Sequence, residues 1–379
     1  MVLLSVNAGS SSLKVSVFDA DRPFEARATH AIENIGSATS VDTLENAVIA
    51  VEQWLTNECN IRGDDIEAVG HRVVHGGERY SSAALMTEEL RSYLESITPL
   101  APNHMPGALS SIAAFSEQFP NAQHVACFDT SFFHDIPEVA KTLPLPLTLQ
   151  KESGMRRYGF HGLSYQSLLA SFQDHEGETA KNGRVIMAHL GSGASISACH
   201  NGQPIDMSMG FTPVSGIMMS TRSGDLEPGI MTYLETEHGM SPQEVSDLVT
   251  HQSGLLGVSE TTADMHVLLD TQEENPKGKL AVELFCYKIK KMIGSYAAAL
   301  GGVDSIIFSG GIGERSSEIR ARICEGLEFL GIVIEDERNN ENARLISSDQ
   351  SAVGVHVIIA QEDRSIITQT LTVINKETA

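Results

Sequence analysis

Residues 2–19, VLLSVNAGSSSLKVSVFD, read as strand, small-residue loop, strand. Val2, Leu4 and Val6 alternate with Leu3 and Ser5, and Leu13, Val15 and Val17 alternate with Lys14, Ser16 and Phe18, the two-residue period of paired strands. The loop from Asn7 to Ser12 has little side-chain bulk, several hydroxyls and many backbone N–H groups. Such a loop can close around an oxyanion, with the positive charge of Lys14 just beyond it. An ordinary Ser/Gly-rich β-turn is an equal reading of these residues alone. The same pattern returns at 184–198, RVIMAHLGSGASISA, with Gly191 and Ser192 where Gly9 and Ser10 fall and His189 where Asn7 falls. Two related halves, each opening on a phosphate-facing hairpin, are expected.

A chain of 379 residues with 41% hydrophobic content is long enough to bury a core in each of two domains. The formal charge of −23, from 26 basic and 49 acidic residues, argues against nucleic acid or an anionic membrane surface as a partner. An anionic ligand would need the few cations gathered locally. Cys59, Cys127, Cys199, Cys286 and Cys324 are scattered without a C-x-x-C pair and read as reduced thiols of a cytoplasmic protein. Neither a secretory leader nor an apolar run of membrane-spanning length is visible.

Helical stripes are expected over 42–58, 87–97, 107–118 and 164–173, with strands at 66–75 and 124–128. His71 and His75 share a strand face but stand farther apart than a zinc chelate allows, and no third ligand follows. Asp129 sits at the carboxyl end of its strand, where α/β enzymes place catalytic groups, although capping the next turn is an equal reading. Pro137, Pro144 and Pro146 mark 135–150 as an irregular boundary region. The segment from Asp206 to Asp225 is a long Gly/Ser/Thr/Met loop of the kind that usually carries function. Further helices are expected at 227–238 and 242–251, then a long one from Pro276 to Leu300 whose apolar face serves core or dimer contact. A strand at Ser305–Phe308 opens into a glycine-rich turn, Ser309 to Glu314, before a helix near Ser317, a setting that suits a nucleotide. The chain closes with a strand at 353–360, then Glu362 and a short helix.

Taken together, Asn7 to Lys14, His71 to Glu78, Leu100 to Pro106, Phe128 to Ser131, Tyr158 to Gly162, His189 to Gly193, Met209 to Asp225 and Ser309 to Glu314 resemble the acetokinase family, in that family's order. The resemblance implies an α/β, two-domain duplicated βββαβαβα fold, actin-like ATPase or ribonuclease H-like, with the active site in the interdomain cleft. Its domains would be 1–135 plus 363–379 and 136–362. The implied reaction is reversible transfer of the ATP γ-phosphoryl group to acetate, in a cytoplasmic homodimer that uses Mg²⁺, with Mn²⁺ as a substitute. On the family's pattern Asn7 and Glu362 serve the metal. Asp129, His161 and Arg222 are catalytic, and Arg72 holds the substrate carboxylate beside Val74, His104, Phe160 and Pro213. ATP falls to Ser10, Ser12 and Lys14; to His189, Leu190, Gly191, Ser192 and Gly193; to Asp264, Met265 and His266; and to Gly311, Ile312, Gly313, Glu314 and Arg315.

Phosphoryl transfer spreads negative charge over three equatorial oxygens, so cations such as Arg222 suit it, and the planar fork of Arg72 suits a carboxylate. Acetate at neutral pH carries no proton, so Asp129 has nothing to abstract from it. Orienting Mg²⁺ through water, or holding an active-site arginine, is the expected role. By residue type alone His161 and His104 read first as hydrogen-bonded core histidines and Arg222 as a solvated loop residue; it is the resemblance that reverses these readings. Ser192, His266 and Arg315 depart from the family's usual residues at the nucleotide, and Asn103 replaces a usual Leu at the acyl pocket. Propionate therefore stands as an alternative acceptor. An actin- or Hsp70-type scaffold would need a substrate-binding or polymer-contact region beyond the nucleotide core. An esterase would need a G-x-S-x-G elbow, which the chain lacks, as it lacks a G-x-x-x-x-G-K-[ST] loop.

Overall fold

The computed structural model describes residues 1–9, 12–33, 35, 43–177 and 182–377. The chain forms two compact units, one of Met1–His134, Phe160–Ser167 and Gln361–Ala379, the other of Asp135–Gly159 and Leu168–Ala360. Phe160–Ser167, counted with the second half on sequence, joins the first unit through short-range polar contacts. The Gly162 N–H donates to the Asp129 carbonyl at 3.0 Å, and the Ser365 hydroxyl donates to the Leu163 carbonyl at 2.8 Å.

The first unit holds strands β1 (Val2–Ala8), β2 (Ser12–Asp19), β3 (Ala28–Glu33), β4 (Ile66–Val73), β5 (Ala84–Leu85) and β6 (Gln123–Phe128). They form one sheet in the order β3-β2-β1-β4-β6-β5. The opening hairpin pairs antiparallel with Asn7 opposite Lys14, while β1, β4 and β6 run parallel. The alternation in β1 sorts its side chains to two faces. Leu4 and Val6, with Val15 and Val17, meet Val51 and Trp54 of the helix Leu44–Asn57 and Phe115 of the helix Met105–Gln118. Leu3, with Ala68, Val125 and Cys127, meets Ile366 and Ile367 of the closing helix Glu362–Glu377.

The second unit holds β7 (Arg184–Leu190), β8 (Ala194–His200), β9 (Gln203–Met207), β10 (Ser305–Ser309) and β11 (Gly354–Val357), ordered β11-β10-β7-β8-β9. In both sheets an antiparallel meander of three strands is followed by two parallel strands beside the first. Asn7 and His189 are each the sixth residue of a seven-residue strand. The duplication visible in two loops is thus a duplication of whole sheets. The helix Pro276–Leu300 has the expected bounds because Asn275 caps its start, accepting from the Gly278 N–H, and Gly301 ends it at φ +70°.

Three expectations need correction. The stretch 135–150 is not irregular throughout, since it contains the helix Glu138–Lys141 and enters Leu147–Ser153, with Pro137 and Pro146 preceding their first turns. Gly310–Arg315 is a short helix rather than a turn, and a φ of +75° at Gly310 lets the chain leave β10 directly into it. The last strand covers only Gly354–Val357, because Ile358 N–H still bonds to Phe308 but Ala360 N–H turns to Glu314. β3 and β9 are the third strands that the implied βββαβαβα order requires but that no residue pattern locates, and the short helices Gly254–Ser259 and Met265–Thr271 were not foreseen.

Gly70 in β4 faces the closing helix, and a Cβ there would stand 2.6 Å from Ile366 Cγ2. The missing side chain lets the helix lie on the sheet with Glu362 at its first turn. Gly70→Ala is expected to lose about 1–3 kcal/mol of unfolding free energy, the scale of overpacking a tight core. Urea denaturation at pH 7 reads this directly, and an unchanged midpoint contradicts it.

The same sheet buries histidines. His71 Nε2 lies 3.0 Å from His124 Nδ1, and their rings stack at 5.3 Å. Burial, then the His124 charge, holds His71 well below 6.5, and burial also lowers His124 and brings His75 down to about 4. The unfolded chain gains protons on these rings below about pH 6.5, whereas the folded chain resists them. Their stability contribution is therefore full above pH 6.5 and lost as pH falls toward 4. The denaturation midpoint is expected to fall between pH 7 and pH 5 and to fall less in His124→Gln; equal slopes in both proteins contradict it.

Candidate active site

The carboxyl ends of β1, β4 and β6 bring four polar side chains together in the first unit. Arg72, on β4, donates from Nε and Nη2 to Asp129 Oδ2 at 3.0 and 2.8 Å, and from Nη1 to Asn7 Oδ1 at 3.2 Å. Glu362, opening the closing helix, puts Oε2 3.4 Å from Arg72 Nη1 and accepts from Asn7 Nδ2 at 2.8 Å. The parallel register, with Val6 beside His71 and Cys127 beside Arg72, is what aligns these positions.

Asp129 is wholly buried, and the Asp129 N–H bonds to the Val73 carbonyl at 3.0 Å, which pins the residue beyond its strand. Burial pushes its carboxyl up, and Arg72 pulls it back down. Burial draws Arg72 down in turn, but Asp129 and Glu362 outweigh it and hold the guanidinium above its ordinary value. The two side chains meet as a salt bridge at 2.8 Å. Asp129 Oδ1 closes no full hydrogen bond, although the Leu163 amide lies near enough to lower the carboxyl.

His161 follows in the same unit on a backbone of φ +58°, a left-handed conformation that costs a non-glycine residue about 1–2 kcal/mol. The next residue has to be glycine: a Cβ at Gly162 would fall on the Asp129 carbonyl and lie 2.8 Å from Phe132 Cβ. Phe160 is buried against His75, ring edge to face at 5.6 Å, while Val74 packs on the neighbouring core. His104 is half-buried at the start of the helix Met105–Gln118, and Asn103 beside it is exposed. Lys14 Nζ lies 2.6 Å from Asp363 Oδ2, a partner that the sequence reading did not single out. Asp363 also accepts from the Ser5 and Ser16 hydroxyls at 3.0 and 3.1 Å. Ser12 starts β2, and Ser10 lies outside the described residues.

Among the described residues no three His, Cys, Asp or Glu side chains form a metal cage, and His71 turns to His124. The oxygens of Glu362, Asn7 and Asp129 are nonetheless the hard donors that Mg²⁺ takes, one or two carboxylates at a time with water completing the shell. The cluster fits that ion.

In the second unit a crevice of about 760 Å³ is lined by Ser192, Asp264, Met265, His266, Gly311, Ile312 and Arg315 from the expected set. Its size suits a nucleotide. Ser220, Asp270 and Glu318 also line it, and nothing in their spacing marked them. Asp264 Oδ1 caps the helix Met265–Thr271 by accepting from the His266 N–H at 2.8 Å, and His266 Nδ1 pairs with Asp270 at 2.8 Å. The loop at β7 closes on itself, Gly191 N–H to the Gly193 carbonyl at 3.0 Å, and Ser192 accepts from the Ser220 N–H at 3.2 Å. Leu190 is core, on the strand that also carries His189. Glu314 turns back from the crevice, its Oε1 accepting from the Ser309 hydroxyl and from the Gly310 and Ala360 N–H groups. Arg222 Nη1 donates to the carbonyl of the buried Pro213 at 3.0 Å, within the long loop after β9.

The family model described as Acetokinase family matches residues 2–368. The acetate kinase of Phocaeicola vulgatus is 38% identical over 99% of this chain and 100% of its own length. The crystal structure of Porphyromonas gingivalis acetate kinase superposes with a TM-score of 0.88 at 36% identity, covering 98% of this chain and 99% of that one. A propionate kinase from Francisella tularensis reaches a TM-score of 0.91 at 30% identity over 98% and 99% of the two chains. With the matched sheets, the arginine–carboxylate cluster and full-length similarity in hand, the chain belongs to the acetokinase family.

Proposed function

We propose that the protein transfers the γ-phosphoryl group of ATP reversibly to acetate, giving acetyl phosphate and ADP. The observation that carries this reading beyond family membership is Arg72, a guanidinium held at the strand ends by a buried carboxylate. Three of its five N–H donors are hydrogen-bonded, one to Asn7 and two to Asp129, and with Nη1 also 3.4 Å from Glu362 a donor on Nη2 remains for a substrate carboxylate. Asp129 thus orients the arginine, and no proton is taken from acetate. Val74 and Phe160 supply the apolar side of the acyl site. His161 and Arg222 stabilise charge on the phosphoryl group in flight, Arg222 as a cation. Ser192, His266, Gly311 and Arg315 bind the nucleotide. Lys14 serves its phosphates, and Asp363 keeps that ammonium in place. Glu362 and Asn7 would hold Mg²⁺, or Mn²⁺ in its place, which would supply neutralising charge to phosphoryl oxygens. We also propose a homodimer in the cytoplasm, in keeping with five free, buried cysteines.

The direct test is a hydroxylamine trap with ATP, Mg²⁺ and a series of short carboxylates. Acyl hydroxamate is expected with acetate, and its absence with every acid overturns the reading. Propionate in the same series tests the second acceptor, the one named for the Francisella relative. A second test addresses the ion pair. Arg72→Ala strands a wholly buried carboxylate and is expected to lose about 3–5 kcal/mol of stability. Arg72→Ala with Asp129→Asn is expected to regain most of that stability while remaining inactive. Additive losses in a denaturation cycle would show that the two side chains do not act as a pair.

A further inference from the structure

Arg320 has no place in the chemistry above, yet it is the largest fully buried side chain of the described residues, at 0% exposure. Its four hydrogen bonds all go to uncharged oxygens. Nε donates to Asn339 Oδ1 at 2.8 Å, Nη1 to the Gly313 carbonyl at 2.8 Å, and Nη2 to the Asn339 carbonyl and Asn342 Oδ1, both at 2.7 Å. No carboxylate pairs with it among the described residues. Burial draws its pKa down to about 10, which leaves it a cation at neutral pH. A dry, unpaired guanidinium is a poor way to fill a core, and an apolar side chain would do so at less cost. Its position has another logic.

Gly313 belongs to the short helix Gly310–Arg315, whose Gly311, Ile312 and Arg315 line the crevice. The last carbonyls of any helix lack partners within it, and a helix of six residues leaves most of its carbonyls in that state. Arg320 reaches back seven residues to cap the Gly313 carbonyl, and a positive charge at a helix C-terminus is favourable. Its other donors grip Asn339 and Asn342, at the end of the helix Asp336–Asn340 and just beyond it. Asn339 is itself buried and donates from Nδ2 to the Ser317 carbonyl at 2.9 Å. A planar fork therefore ties the crevice wall to Asn339 and Asn342, which do not line the crevice, and Glu314 holds the other end of the same short helix at Gly310. Lysine, with a single point of attachment, lacks that geometry.

We propose that Arg320 is a positioning residue of the nucleotide site, fixing Gly311–Arg315 at the height the nucleotide requires. The inference rests on reading the crevice as the nucleotide site. Two variants test it: Arg320→Lys, which keeps the charge and loses the fork, and Asn342→Gly. The latter removes one acceptor at an exposed residue of φ +52°, a backbone that glycine adopts freely. Titration calorimetry gives the ADP dissociation constant, and steady-state rates give KM for ATP and for the carboxylate. In Arg320→Lys the ADP constant and ATP KM are expected to rise about tenfold, the weight of a hydrogen bond to a charged group, with carboxylate KM and saturated kcat within about twofold. Asn342→Gly is expected to show the same split at about two- to threefold, and it decides the matter alone if Arg320→Lys does not fold. Equal losses in both KM values and kcat would make Arg320 a general structural residue and overturn the proposal. Wild-type hydroxamate formation alongside unchanged ADP constants in the folded variants overturns it while the function stands. Failure of the wild-type protein to bind ADP overturns both.

Discussion

A carboxylate without solvent access needs a cation beside it, and the Arg72–Asp129 pair is the constraint on which the first unit depends. Asp129 is at 0% exposure, so its charge persists only because Arg72 brings two N–H groups to one oxygen. Arg72 can do so only while β4 and β6 stay parallel and in register. The remaining contacts of the guanidinium recruit Asn7 from β1 and Glu362 from the closing helix, so that four distant stretches of chain meet at one group. Two glycines make room. Gly70 admits the closing helix, and Gly162 admits the His161 segment against the Asp129 carbonyl. Neither brings a side chain, and with a Cβ at either position the cluster loses one of its walls.

The second unit repeats the strand order and changes the chemistry. Where Asn7 faces Lys14 across the first hairpin, His189 faces Ser195 across the second. The first hairpin is tied to acids through Lys14, Asp363 and Glu362, whereas the second closes on its own backbone and on Ser220. One sheet design thus carries an ionic cluster in one copy and a neutral glycine–serine loop in the other. That division suits a reaction in which one anion is handled by fixed charges and the other by backbone N–H groups and a crevice.

Positive charge is scarce in this protein, at 26 basic against 49 acidic residues, and its placement is correspondingly restricted. Lys14 is paired with one oxygen of Asp363, whereas Arg72 and Arg320 are each held by several oxygens, from the Asp129–Asn7–Glu362 group and from the Gly313 carbonyl and the Asn339 region respectively. Cations held by several oxygens are fixed in orientation, which a protein with so few of them achieves at Arg72 and Arg320 through hydrogen bonds from distant parts of the chain.

Much of the architecture was legible before any coordinates. Alternation in residues 2–19, its echo at 184–198 and the capped stripe from Asn275 to Gly301 are local patterns, and local patterns survive in a one-dimensional record. The identities of Asn7, Arg72, Asp129, His161, Arg222 and Glu362 as candidates came from motif chemistry and family resemblance. What the sequence could not disclose were pairings between residues far apart in it. Asp363 holding Lys14 spans 349 positions, and no spacing rule links them. Arg320, on the short helix Ser317–Cys324, carries no sequence motif that marks it as buried, because side-chain burial is a property of neighbours brought in from elsewhere. Gly310–Arg315 reads as a turn because its glycines favour no helix locally, and the contacts that hold its ends come from the Glu314 and Arg320 side chains. The sequence by itself determined most of the long elements, the duplication and the chemical types at the strand ends. Only the tertiary structure decided which charges neutralise one another, because a pair energy depends on distance and burial, and neither is written along the chain.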